Sequence, residues 1–238
     1  MKGRKWISES KILGRCFHAD VFESKTEPKG LVLWFGAPGK TKDGYDEREK
    51  GVVPIFREAW DRLGEDLPII FVFVSGPYDI EIAKFSKFSA DKDRWNQHVE
   101  KDILGNWPDL PVYLIGNSGG AALAFNGIHK SQRVVGAGGL GADQIPDDFQ
   151  IPLGKNGEPK WVLNLYYNYN DHVYDINKNM IKKFIEKELA VCDRFGGEHE
   201  TDHYIRNRSF DGLISKAMKC FNETPLAQIA SSRGLFCL

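Results

Sequence analysis

Six short apolar runs recur along the chain, and they limit its fold more than any other feature. They are Leu31-Val32-Leu33-Trp34-Phe35, Ile69 to Val74, Val112 to Ile115, Val134 to Ala137, Trp161 to Tyr167 and Leu189 to Phe195. Apolar residues fill consecutive positions in the first three and dominate the others, so a strand built from one is largely apolar on both faces. That pattern suits parallel strands covered by helices on each side. Helical periods lie between the runs. Val52, Ile55, Phe56, Ala59, Trp60 and Leu63 form one stripe, and Ile176, Met180, Ile181, Phe184 and Ile185 another. Phe210, Leu213, Ile214, Ala217, Met218 and Phe221 form the cleanest, and Trp95, Val99 and Ile103 a weaker one. The stretch from Ile12 to Glu23 reads as one or two further strands at an antiparallel edge. The alternation predicts an α/β fold with a doubly wound, mostly parallel central sheet and helices on both faces. No repeat or long linker interrupts it, so 1–238 reads as a single domain with 222–238 as a C-terminal tail.

Charge and composition exclude several classes. There are 32 basic and 33 acidic side chains, a formal charge of -1, where a nucleic-acid binder would show a basic excess. The longest apolar run, Pro68 to Val74, is far shorter than the roughly 20 residues of a membrane helix. The basic start (Met1 to Trp6) has no apolar segment after it, so no signal peptide is expected. Cys16, Cys192, Cys220 and Cys237 are scattered without a CxxC pair. This predicts free thiols in a reducing cytoplasm rather than disulfides or zinc. No metal cluster or cofactor fingerprint is visible, so neither is expected.

In a doubly wound sheet, ligands bind at the carboxyl ends of the strands. After Val112 to Ile115 comes Gly116-Asn117-Ser118-Gly119-Gly120, then Ala121-Ala122-Leu123-Ala124-Phe125. This is G-x-S-x-G between a strand and a helix. So tight a turn has no room for a Cβ two residues either side of the serine. It raises the Ser118 hydroxyl above the sheet and sets the Gly119 N–H at a helix N-terminus, where the dipole favours an anion. A glycine-rich packing turn with an idle serine would share the pattern but would not require that strand and helix.

On these residues the sequence resembles the α/β-hydrolase superfamily, from about Ile12 to Phe221. The resemblance implies a triad ordered nucleophile, acid, histidine on loops after three different strands. Asn168-Tyr169-Asn170-Asp171-His172-Val173, after Trp161 to Tyr167, resembles the family's acid turn. Phe195-Gly196-Gly197-Glu198-His199 resembles its Gly-Gly-x-His turn. Ser118 would then be the nucleophile, His199 the general base and Asp171 the acid that orients it. The oxyanion hole would combine the N–H groups of Gly119 and Ala37, the latter in Phe35-Gly36-Ala37-Pro38-Gly39. Phe35 departs from the family's usual histidine and removes a side chain that often braces this loop.

Other readings compete at single residues. His203 is the alternative base, in the same loop as His199. Asp175 is the runner-up acid but also suits a helix N-cap. Asp143 is a more remote option. His172 reads as an exposed loop residue, and His18 and His98 have no motif around them. Gly36-Ala37-Pro38-Gly39-Lys40-Thr41 ends like a phosphate-binding P-loop. That motif needs a glycine at position 34, where Trp34 stands, and a helix directly after Thr41, where a charged loop follows. The interval 141–160, where many family members carry a helical lid, has no helical period and holds Pro146, Pro152 and Pro159. It reads as a short loop over an open site.

The reading implied is a cytoplasmic serine hydrolase acting on a small-molecule carboxylic ester or thioester through an acyl-enzyme. The alternatives are an acyltransferase with the same triad, transferring to a sugar or other alcohol, and a non-catalytic ligand-binding member of the fold.

Overall fold

All six apolar runs form strands. The computed structural model describes residues 4–12, 14–36, 67–74, 89–117, 119–127, 131, 133–140, 161–167 and 191–195. Within them the strands are β3 (Gly30–Phe35), β4 (Ile69–Val74), β5 (Val112–Asn117), β6 (Val134–Leu140), β7 (Trp161–Tyr167) and β8 (Val191–Phe195). Two more strands precede them, β1 (Arg4–Ser10) and β2 (Arg15–Glu23). The antiparallel edge expected from Ile12 onward is a hairpin that begins at Arg4. Its first strand, RKWISES, is mostly polar and left no apolar run to detect.

The eight strands form one sheet in the order β1-β2-β4-β3-β5-β6-β7-β8. From β4 to β8 every neighbouring pair is parallel, and β2 joins β4 antiparallel. The chain steps from β3 outward to β4, then returns past β3 to β5 and continues the other way. That reversal makes the β3/β5 boundary a topological switch point, with the crevice at the carboxyl ends of both strands.

Every residue of β3 and β4 is buried, as a run that is apolar on both faces requires. One face carries Leu31, Leu33, Phe35, Val72, Val74, Leu114 and Ala137, in a single core cluster with residues of both described helices. The opposite face carries Val32, Trp34, Phe71, Phe73, Tyr113 and Ile115, and all are buried too. Burial on both faces is the physical content of a doubly wound sheet. The expected helices around Val52 to Leu63, Ile176 to Ile185 and Phe210 to Phe221 lie outside the described residues, as do the loop 141–160 and the tail 222–238.

Helix α1 (Ser89–His98) continues into one wider π turn at Val99–Ile103 and a short tightened turn at Leu104–Asn106. This accounts for the weak stripe. Trp95, Val99 and Ile103 repeat every four residues, and such a stripe drifts around an α-helix of 3.6 residues per turn. A wider turn corrects the drift, and all three side chains reach the core.

Two polar clusters tie this segment to the sheet. Asp102 Oδ2 accepts from the Ser10 hydroxyl at 2.5 Å and pairs with His98 Nδ1 at 2.8 Å. Farther on, the Arg133 guanidinium donates to three backbone carbonyls: Leu104 (3.3 Å), Leu110 (3.0 and 3.2 Å) and Trp107. These end the segment and lead into β5.

Candidate active site

The strand β5 passes into helix α2 (Gly119–Gly127) with Ser118 alone between them. Ser118 lies outside the described residues, but the residues that shape its turn do not. A Cβ built on Gly116 would lie 2.6 Å from the Ala121 backbone nitrogen and closer still to the Gly120 carbonyl. The end of the strand is thus folded against the first turn of its own helix, and only a hydrogen fits between. A Cβ on Gly120 would lie 2.8 Å from the Gly36 carbonyl oxygen and nearer to that of Phe35. Real Cβ atoms essentially never come within 3.0 Å of such atoms. Both glycines of the G-x-S-x-G pattern are therefore sterically required, each by backbone that cannot swing aside.

The second contact joins two elements. It sets the first turn of α2 against the end of β3, where the loop toward Ala37 departs. Gly36 is itself held, its N–H donating to the Val74 carbonyl at 2.9 Å. Phe35, which stands where a histidine was expected, is 1% exposed, and its ring meets Trp95 edge-on at 5.9 Å. The loop's root is braced by an aromatic pair in the core. The same strand carries Trp34, fully buried, at the position where a P-loop needs glycine.

The parallel register aligns the strand ends. Val74 pairs with Phe35, Phe35 with Gly116, and Gly116 with Gly139. Tyr167, the last residue of β7, pairs with Phe195, the last of β8. The segments bearing Ala37, Ser118, Asp143, Asp171 and His199 therefore all leave the sheet from one edge. Ala37, Asp143, Asp171, Asp175, His199 and His203 themselves lie outside the described residues, whereas Gly119 is the first residue of α2.

The described residues also hold one Ser-His-Asp set, Ser10, His98 and Asp102, that sequence reading passed over. Ser10 donates to the carboxylate rather than to the imidazole, so the histidine does not activate it. Ser10 and His98 are both 0% exposed, and Phe17 and Trp95 pack edge-on or tilted against the imidazole. This set fastens the β1–β2 hairpin to α1.

Solved structures with this architecture are numerous. S-formylglutathione hydrolase from Staphylococcus aureus superposes with a TM-score of 0.60 at 11% identity, over 93% of this chain and 98% of that one. A serine hydrolase without a lid from Xanthomonas campestris gives 0.57 at 12%, over 96% and 95%. The chain has the α/β-hydrolase fold. Enterochelin esterase from Shigella flexneri gives 0.60 at 12% identity, and there the chain spans 58% of the neighbour's length. No family model and no curated protein matches the sequence. The glycine-tight junction of β5 and α2 stands at the carboxyl edge of that sheet, beside the end of β3. Among the described residues, no helix is long and apolar enough to cross a membrane.

Sequence reading missed two further glycines, Gly127 and Gly139, which let α2 lie close to the sheet. The signal for Gly139 was present in the glycine-rich run of β6, VVGAGGL. Glycine inside a strand often marks a close approach by another element.

Proposed function

We propose that the protein is a serine hydrolase that cleaves a carboxylic ester or thioester through an acyl-enzyme. The observation that carries this reading is the pair of sterically obligatory glycines at 116 and 120, on either side of Ser118, at the carboxyl edge of the sheet. A strand-to-helix turn of this tightness is the setting in which a serine at the apex is lifted clear of the sheet. The Ser118 oxygen bonds to the acyl carbon while its proton passes to His199. The leaving group departs with that proton, and water then releases the acid by the same route. Asp171 holds the imidazole tautomer, and the N–H groups of Gly119 and Ala37 receive the oxyanion.

Chain lengths support the assignment. Asp171 and His199 each stand four residues beyond a paired strand end, Tyr167 and Phe195. Four extended residues reach at most about 14 Å. The strands β7 and β8 are two and three spacings from β5, about 10 and 14 Å. Both side chains are within reach of an elbow on β5. His203 would need a longer excursion and is the alternative base.

The neighbours' names, a hydrolase of S-formylglutathione and an esterase of enterochelin, agree with ester or thioester chemistry. With 141–160 as a short loop, as in a lidless hydrolase, the site is open and favours short acyl groups or acyl groups on a larger carrier. Incubation with a fluorophosphonate probe tests the core of the proposal. We expect covalent labelling of Ser118, loss of labelling in Ser118→Ala, and a fall of about 10⁶ in kcat for ester hydrolysis by His199→Ala. A folded wild-type protein that stays unlabelled would refute it. Hydrolysis of acetyl and butyryl esters should exceed that of long-chain triglyceride, and the reverse preference would contradict an open site.

A further inference from the structure

The nucleophile helix is seated on bare backbone at more than the elbow. In the sheet, Gly116 pairs directly with Gly139 of β6. Paired residues of parallel strands face the same way, so together they make a patch without side chains beneath the first turns of α2. Phe35 bounds it on the β3 side, as the next residue in that row. A Cβ built on Gly139 would stand 2.6 and 2.7 Å from Cε2 and Cζ of Phe125 and 3.1 Å from Cβ of Ala121. Phe125 and Ala121 are both 0% exposed, so neither has solvent to move into. Ala121 lies in the first turn of α2, two residues after Gly119. Anything that lifts Ala121 lifts that N–H as well.

The far end of the helix provides an internal comparison. Among the described residues, a Cβ on Gly127 would meet only Leu114 Cδ1, at 2.6 Å. The intrusion is as deep, but it falls on the tip of one side chain at the opposite end from the elbow.

We propose that Gly139 is a positioning residue for the nucleophile: its missing side chain sets the height of the first turns of α2 over the sheet, and so the placement of Ser118 and the Gly119 N–H. The inference rests on the serine-hydrolase reading. A methyl at 139 meets Phe125 and Ala121 at once, and the sheet beneath is fixed by strands on both sides of β6. The helix must therefore tilt or rise at its N-terminal end. Displacing reacting groups by less than 1 Å lowers rates steeply.

The test compares the second-order rate of fluorophosphonate labelling, per folded molecule, in wild type, Gly139→Ala, Gly127→Ala and the double variant Phe125→Leu/Gly139→Ala. We expect a fall of at least about tenfold for Gly139→Ala and less than about twofold for Gly127→Ala, even if both melt at lower temperature. In the double variant, leucine lacks the ring atoms that crowd position 139, and labelling should return to within about threefold of wild type. Gly139→Ala labelled at the wild-type rate would overturn the proposal. So would equal losses in Gly139→Ala and Gly127→Ala, which would indicate general overpacking. If Gly139→Ala does not fold, the double variant decides, and a folded double variant that labels slowly overturns it. A wild type that does not label removes the hydrolase reading itself, an outcome distinct from all of these.

Discussion

Gly116 and Gly120 have no space for a methyl group, whereas Gly14 has nothing within 4 Å of where its Cβ would be. The three residues are glycine for different reasons. At Gly14 the reason is backbone conformation, a φ of 66°. Gly14→Ala should cost about 1–2 kcal/mol through the left-handed conformation alone, and Gly14→Asn less, as urea unfolding would show. At Gly120 the obstacle is the Phe35 and Gly36 carbonyls, fixed in the middle of the sheet. Gly120→Ala should cost about 2–3 kcal/mol in the same measurement and also abolish labelling of Ser118. A variant that lost stability but kept full labelling would show that the contact with β3 does not shape the elbow.

The elements are held by polar clamps as well as by apolar packing. Asp102 is the shared acceptor for Ser10 and His98, and its bond to Ser10 spans 92 positions of the chain. Asp102→Ala leaves the buried Ser10 and His98 without that acceptor and should cost about 1–3 kcal/mol. Its signature is faster amide exchange in β1 and β2 with little change in β5. Uniform acceleration across the sheet would mean that the cluster does not specifically anchor the hairpin. Arg133 acts at the other end of the same segment, where its planar fork reaches the carbonyls of Leu104, Trp107 and Leu110 together. Arg133→Leu should lower the melting temperature, with a loss of about 2–4 kcal/mol. Arg133→Lys should recover little, because one ammonium cannot span three carbonyls. Recovery by lysine would reduce the clamp to a point charge.

Across the whole molecule, constraint falls from the centre of the sheet to its edges. β3 and β5 are hydrogen-bonded on both sides and buried on both faces, while among the described residues the edge strands β1 and β8 each have a single neighbour. Native-state amide exchange should therefore be slowest in β3 and β5 and fastest, among the described strands, in β1 and β8. Equal protection in β1 would require a further strand or a second molecule along that edge. The junction of β5 and α2 lies at the switch point beside β3, where the described sheet is most constrained.

The parallel strands of this protein were legible in its sequence because their cause is local. Consecutive apolar residues such as Ile69 to Val74 can be satisfied only by cover on both faces, and no partner need be known to see it. The tightness where β5 meets α2 was legible for the same reason, since the glycines that allow it, at 116 and 120, are four positions apart in the sequence. Tertiary structure alone decided the rest. Sheet order brings the five candidate loops to one edge, a packed Trp95 replaces the expected brace at Phe35, and Gly139 lies beneath Phe125. Each of these depends on which distant segments pair or pack together. Such contacts are chosen by the burial of the whole sheet, and no short window of sequence contains that information.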